Sequence, residues 1–245
     1  RMKQFKLYTL LFLSLALFSS CEEEVEAPNT PYASFESYFS TDVTVTPGEN
    51  YNKSISVYTA NITDTDRTIN LTASGSISAA SYTMPMSVTI PANSNEATLD
   101  LVFNETDLEI ISDKTLTIEM VGSEEMSVGE SITLNVAKGC PAGESKVKIA
   151  VELDAYPEEV YWRIVNTDLG VVVMANNATA AYGGYAGLTG TQRDAACLVN
   201  GNYRIDIFDG YQDGAGAFEI TVNGVQVFAS NGAYGAGVSS TFVIN

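Results

Sequence analysis

Three aspartates, Asp206, Asp209 and Asp213, fall close together around the glycine-bearing stretch Asp209-Gly210-Tyr211-Gln212-Asp213-Gly214. Clustered carboxylates of this kind hold Ca²⁺, although the spacing is not that of an EF-hand. Calcium is the one cofactor these residues suggest, and the acidic balance of the chain favours cations. The same residues also build tight turns, because Asx side chains bond nearby backbone and glycine accepts positive φ. Both readings stand at this stage. Tyr182 and Tyr185 sit in the run Tyr-Gly-Gly-Tyr-Ala-Gly, Tyr211 lies within the aspartate stretch, and Tyr234 opens Tyr-Gly-Ala-Gly. Tyrosines on small-residue loops present flat amphipathic surfaces to a sugar or protein ligand. Their other use is to cover the end of a β-sandwich.

Glu158 and Glu159 are adjacent carboxylates, the residue type of a glycosidase pair. Neighbours on a strand point to opposite faces, so in a strand these two cannot flank one bond. The chain has no histidine. That removes the commonest general base and the commonest transition-metal ligand, and with them serine-histidine and cysteine-histidine hydrolases. No catalytic residue is assigned, and the expectation is a protein that is not an enzyme. Cys140 and Cys197 suit one disulfide in an exported protein, with two separately buried thiols as the alternative.

These groups sit in a chain of 245 residues, a length that suits one large or two ordinary domains. Hydrophobic residues make up 45% and charged residues 17%, a composition that folds. Thirty acids oppose 12 bases, a formal net charge of −18. Such a surface repels phosphate backbones, so nucleic acid is excluded as a partner.

Lys3 and Lys6 precede an apolar and hydroxylic run from Leu7 to Phe18, followed by Ser19, Ser20 and Cys21. That is the layout of an export signal, too short to span a bilayer as a permanent helix. The stretch Leu17-Phe18-Ser19-Ser20-Cys21 resembles the lipobox of bacterial lipoproteins, which implies cleavage after residue 20 and lipidation of Cys21. Several acyl chains on one residue anchor a protein stably. Loss of Arg1, Lys3 and Lys6 would leave nine bases against 30 acids, a net charge of −21. Glu22-Glu23-Glu24-Val25-Glu26 and the prolines Pro28 and Pro31 then read as a solvated tether over 21–31. An acidic cluster behind the lipidated cysteine is similar to the surface-export signal of Bacteroidota lipoproteins. It implies an outer-membrane protein facing the cell exterior, the alternative being a plain spacer.

From residue 32 to 137 the chain shows short runs of period-two alternation, such as Ser54–Thr59, Thr68–Thr72, Ser87–Ile90, Ala97–Phe103, Thr115–Met120 and Ser131–Val136. Turn clusters including Thr46–Asn50 and Pro91–Asn95 separate them, and no helical stretch intervenes. This pattern predicts an antiparallel β-sandwich. Ser87-Val88-Thr89-Ile90-Pro91-Ala92-Asn93-Ser94, followed by Ala97–Leu101 and Thr115–Ile118, resembles Calx-β-like sandwich domains, which carry an "IPAG" turn. Asn93 stands where that turn usually has glycine. The dense acidic tail of the calcium-regulated members is missing, which favours structural or adhesive use over calcium sensing.

The composition shifts at the turn-rich Lys138–Gly143, and strands resume over 138–245 at Val147–Leu153, Val160–Val165, Tyr203–Phe208, Ala217–Val222, Gln226–Phe228 and Ser240–Ile244. Asn223-Gly224 predicts a type I′ hairpin, and Trp162, alternating with Ile164, a core position. Leu153–Trp162, Asn200–Tyr203, Asp209–Gly214 and Val222-Asn223-Gly224 together resemble a β-sandwich module appended to secreted Bacteroidota proteins. Its signature is "DxYPxExxW", "DxYGDG" and a "VNG" hairpin. The resemblance implies an accessory, non-catalytic domain. A cysteine pair often follows the second motif in that family, whereas Ala215 and Gly216 stand there in this chain.

The fold expected is therefore all-β, with two consecutive antiparallel sandwiches after a lipoprotein signal peptide and short tether. The expected role is a cell-surface lipoprotein for adhesion, complex assembly or ligand capture, stabilised by calcium if the aspartates hold an ion. The alternative is a glycan-binding accessory lipoprotein of a nutrient-uptake system. A hydrolase or its inhibitor is a third class, for which no carboxylate cluster is evident. The membrane, through the lipid, and a glycan or protein at the cell surface are the partners implied.

Overall fold

Alternation of apolar and polar side chains builds both halves of the molecule from two-faced strands. The structure, a computed structural model, describes residues 31–178 and 181–245. Cys21, the signal segment and most of the tether thus lie outside the described residues. Among the described residues no helix is long and apolar enough to cross a membrane.

The first sandwich contains β1 (Tyr32–Phe35), β2 (Asp42–Val45), β3 (Tyr51–Thr59), β4 (Arg67–Gly75), β5 (Tyr82–Thr83), β6 (Ser87–Ile90), β7 (Glu96–Phe103), β8 (Lys114–Val121), β9 (Ser127–Val128) and β10 (Ile132–Lys138). They form two five-stranded sheets, ordered β5-β7-β3-β1-β9 and β2-β10-β8-β4-β6. Residues 36–41 carry the chain from one sheet to the other. This crossing explains two ladders that the antiparallel expectation did not include, since β1 runs parallel to β9 and β2 parallel to β10. Ile55, Val57, Leu99, Leu101 and Phe103 of one sheet and Ile69, Leu71, Leu116, Ile118 and Leu134 of the other bury their side chains in a single core. Each such side chain contributes about 1.5–3 kcal/mol relative to exposure. Asn93, in the β6–β7 turn, takes φ 62°, the left-handed region that asparagine tolerates and the missing glycine would have entered freely.

The second sandwich comprises β11 (Glu144–Glu152), β12 (Val160–Asn166), β13 (Val171–Ala175), β14 (Thr191–Val199), β15 (Gly201–Asp209), β16 (Phe218–Val222), β17 (Val225–Ser230) and β18 (Gly237–Ile244). Its sheets are ordered β14-β11-β16-β17 and β13-β12-β15-β18, with every pairing antiparallel. Trp162, Tyr203 and Phe218 are its largest fully buried side chains, and Trp162 meets Phe218 edge-on with centroids 6.2 Å apart. Asn223 and Gly224 both take positive φ, 49° and 81°, in the two-residue β16–β17 hairpin. The predicted Cys140–Cys197 disulfide is present. It ties the segment between the sandwiches to β14, and the Lys148–Asp113 ion pair at 3.4 Å links the two halves.

Candidate metal and ligand site

The site begins with strand register. β12 and β15 pair so that Val160 lies opposite Asp209, which sets the residue before β12 beside the residues after β15. The Gly210 amide donates to the Glu159 carbonyl at 3.0 Å, extending that ladder by one rung. Two stretches 50 residues apart in sequence thereby meet at one end of the sandwich.

Pro157, Glu158 and Glu159 form a short 3-10 turn rather than the start of a strand. Proline's fixed φ suits the first position of such a turn. The two glutamates thus lie outside any strand and still diverge: Glu158 is exposed, while Glu159 turns inward with only 9% of its surface accessible. A carboxylate oxygen of Glu159 lies with one of Asp209 and one of Asp213 in a group whose members are all within 4.8 Å of each other. Asp209 is buried and Asp213 exposed, so the group opens to solvent on the Asp213 side.

Asp209 also organises the loop that follows it. Its Oδ1 accepts the Tyr211 amide at 3.1 Å and its Oδ2 the Gly214 amide at 2.6 Å. Gln212 and Gly214 take φ 71° and 93°, and a Cβ on Gly214 would come within 2.3 Å of the Gly232 carbonyl oxygen. At Gly216 a Cβ would meet the Glu152 carbonyl oxygen at 1.4 Å. A side chain at that position has no room on this backbone.

Electrostatics within the group diverge. Burial pushes the Glu159 carboxyl above the usual carboxylate range, and the charges of Asp209, Asp213 and Asp154 push it further. Burial also raises Asp209, but hydrogen bonds from the amides of Gly214 and Tyr211 and from the side chain and amide of Asp213 together outweigh it and hold that carboxyl below its usual range. Among the described residues, the side-chain partner of Glu159 is the Asp209 carboxyl. Two carboxylates in such contact require a shared proton or a cation between them. Among the described residues no lysine or arginine forms an ion pair with Glu159, Asp209 or Asp213.

Asp206 does not join them. It lies on the outer face of β15, opposite Arg163 on β12 and Ser239 on β18. It accepts from Arg163 Nε at 3.0 Å, Arg204 Nε at 2.7 Å and the Ser239 hydroxyl at 2.8 Å. Burial raises its pKa, and these donors reverse the shift to leave it low. The triad expected from sequence is therefore corrected to Glu159, Asp209 and Asp213. Its missing member was marked by the glutamate of the "DxYPxExxW" motif, and the two motifs converge here.

The four tyrosines divide in the same way. Tyr185 is a core residue whose hydroxyl accepts the Trp162 indole N–H at 2.7 Å, and burial raises its pKa to about 12. Tyr234 is half-buried, with a buried hydroxyl that makes no regular hydrogen bond and a pKa pushed by burial to about 12. Neither offers a surface to a ligand. Tyr182 is 44% and Tyr211 78% exposed. Tyr182 meets Tyr161 edge-on at 6.3 Å, and its ring lies 3.6 Å from where a Gly210 Cβ would stand. Tyr156, 60% exposed on the same approach to Glu159, was not singled out from sequence. Its amide donates to Asp154 Oδ1 at 2.8 Å and its carbonyl accepts from the Glu159 amide.

An all-oxygen, tightly grouped set of this kind suits a hard cation, and calcium takes roughly six to eight oxygens. Elsewhere on this sandwich, a depression of about 360 Å³ on the outer face of the β14-β11-β16-β17 sheet is lined by Ala150, Glu152, Arg193, Glu219 and Gln226 among others.

No protein-family profile and no curated protein sequence matches the chain. Solved structures with some likeness include a Bacteroides ovatus protein provisionally named as carbohydrate binding, at 11% identity and TM-score 0.41 over 84% of this chain and 71% of that one. The calcium binding domain CBD12 of CALX1.1 gives 12% identity and TM-score 0.36 over 71% and 79%. A Bacteroides ovatus protein of unknown function gives 12% and 0.37 over 86% and 94%.

Proposed function

We propose that this chain is a non-catalytic binding protein, held outside the cytoplasm by a lipid on Cys21, whose second sandwich captures a ligand at a calcium-stabilised loop end. One observation carries the reading: Glu159, Asp209 and Asp213 converge within 4.8 Å with two of them buried. A buried carboxylate pair without a cation costs stability at neutral pH, and a bound Ca²⁺ offsets that cost. The ion would tie the 3-10 turn before β12 to the loop after β15, fixing the exposed rings of Tyr156, Tyr182 and Tyr211. Both Asp209 oxygens already accept backbone amides, a structural duty that suits a metal ligand better than a nucleophile. The disulfide supports an oxidising, extracytoplasmic setting.

Isothermal titration of the metal-free protein with CaCl₂ tests the reading. One binding event per chain is expected, and its loss in Asp213→Asn. Absence of heat across millimolar Ca²⁺ contradicts it. Incorporation of labelled palmitate, lost in Cys21→Ser, tests the anchor.

A further inference from the structure

The structure assigns a separate binding site to the outer face of the β13-β12-β15-β18 sheet, where the guanidinium groups of Arg163 and Arg204 take the single carboxylate of a hydroxylated acid, the chemistry of an acidic sugar. It goes beyond the calcium reading and needs no metal.

Strand register builds the site. Arg163 on β12 lies opposite Asp206 on β15, and Arg204 opposite Thr241 on β18, so side chains of three strands meet on one face. Asp206 is 3% exposed and accepts four hydrogen bonds. Its Oδ1 takes Arg204 Nε and the Ser239 hydroxyl, and its Oδ2 takes Arg163 Nε and Arg204 Nη2. That fills both lone pairs of each oxygen, so Asp206 has nothing left to offer the arginines. Both terminal nitrogens of Arg163 and Nη1 of Arg204 donate to no described residue, and the two side chains remain 35% and 41% exposed.

The balance of charge here differs from that of the lysine pairs. Lys114, Lys138 and Lys148 each face one acid. Arg163 and Arg204 share one, which leaves a surplus positive charge on a chain whose net charge is −18. Among the described residues, the carboxylate that bears on Arg204 is that same Asp206. Arg163 is also held in place: its Cζ lies 5.7 Å from the Phe208 centroid, and Phe208 stacks on Tyr161 at 5.9 Å. A guanidinium fixed between a ring and a buried acid loses little freedom when it binds.

Shape and charge then select the occupant. A carboxylate is planar, matches the guanidinium fork through parallel hydrogen bonds, and balances the surplus with its single charge. Polyanions bring further charges against an acidic surface and are disfavoured. Thr241, opposite Arg204, is exposed and its hydroxyl bonds to no described residue, so it meets a ligand hydroxyl beside the carboxylate.

Saturation-transfer NMR on the full chain in EDTA at low ionic strength tests this, with D-glucuronate, D-glucose and acetate as separate probes. Transfer to D-glucuronate is expected, with none to D-glucose and weaker binding of acetate, and it should fall as NaCl is added. Arg163→Gln and Arg204→Gln should each weaken D-glucuronate binding about tenfold or more, the scale of a lost charge-assisted hydrogen bond. Thr241→Val should weaken it about fivefold and leave acetate unaltered. Emission of the buried Trp162 checks that each variant is folded, and the wild-type contrast between D-glucuronate and D-glucose decides the matter without any variant. No transfer to D-glucuronate, equal transfer to D-glucose, or undiminished binding in folded Arg163→Gln overturns the inference. Acetate binding as tightly as D-glucuronate overturns the assignment to an acidic sugar. Because no metal is present, failure here is distinct from failure of the calcium reading.

Discussion

The two sandwiches share one architecture and differ in what they bury besides hydrocarbon. The buried polar side chains of the first are Lys53, Thr59 and Ser81, none of them acidic. Those of the second are Ser145, Glu159, Asn166, Asp206 and Asp209, three of them carboxylates. The second also carries the disulfide and a buried Trp162–Tyr185 hydrogen bond. Their edges differ too. The first sandwich ends its sheets in strands of two or four residues, which blunts them, while the edge strands of the second run from five to nine. A sandwich that only has to fold needs no buried acid. The lesson is that the cost of desolvating carboxylates concentrates in one half of the molecule.

Removing the disulfide should sharpen this contrast most. Cys140→Ser with Cys197→Ser, a pair separated by 57 residues, is expected to destabilise the second sandwich by about 4 kcal/mol in the chain-entropy account and leave the first unchanged. Trp162, the only tryptophan and fully buried, reports the second sandwich alone by fluorescence. Equal loss in both halves, measured by comparing fluorescence with far-ultraviolet dichroism during urea unfolding, would break the comparison.

Asp206→Asn should cost the second sandwich about 1–2 kcal/mol, a value reduced because both arginines are partly exposed. The pKa of Asp206 is depressed in the fold. Its stabilisation is therefore present above the ordinary aspartate pKa and is lost as pH falls through the folded value. Wild type and variant should converge on acidification and differ at pH 7, with calcium affinity unaltered in the variant. A variant that loses calcium binding would return Asp206 to the site.

A smaller effect is expected from Tyr185→Phe, about 1 kcal/mol, because it leaves the Trp162 N–H buried without a partner. Its signature is a shifted Trp162 emission, and calcium binding should persist. Loss of calcium binding in this variant would mean that the tyrosine is more than a core residue.

Strand periodicity made most of this fold legible, from the alternating β3 and β7 of the first sandwich to the Asn223-Gly224 hairpin of the second. The parallel ladders were not legible, because they arise where β1 and β2 belong to different sheets, and alternation carries no record of which sheet a strand joins. At the site, sequence proximity misled. Asp206 is three residues from Asp209, yet side chains at that spacing on β15 lie on opposite faces. Glu159 is 50 residues away and arrives through the register of β12 on β15. The proline before it signalled a turn, and that signal separates Glu159 from Glu158. Tyr185 looked like a loop ligand because Gly-rich surroundings do not reveal a hydrogen bond to a buried indole.

The claim that matters most is that Glu159, Asp209 and Asp213 hold calcium, and thermal unfolding followed through Trp162 tests it directly. At pH 7, calcium at 100 times its dissociation constant should stabilise the second sandwich by about 2.7 kcal/mol. In Glu159→Gln, without calcium, the transition should lie above that of the wild type. The gap should widen as pH rises, because the raised pKa of Glu159 makes ionisation cost stability, and added calcium should move the variant far less. A wild-type transition that ignores millimolar calcium, or a Glu159→Gln transition that follows it equally, would contradict the account.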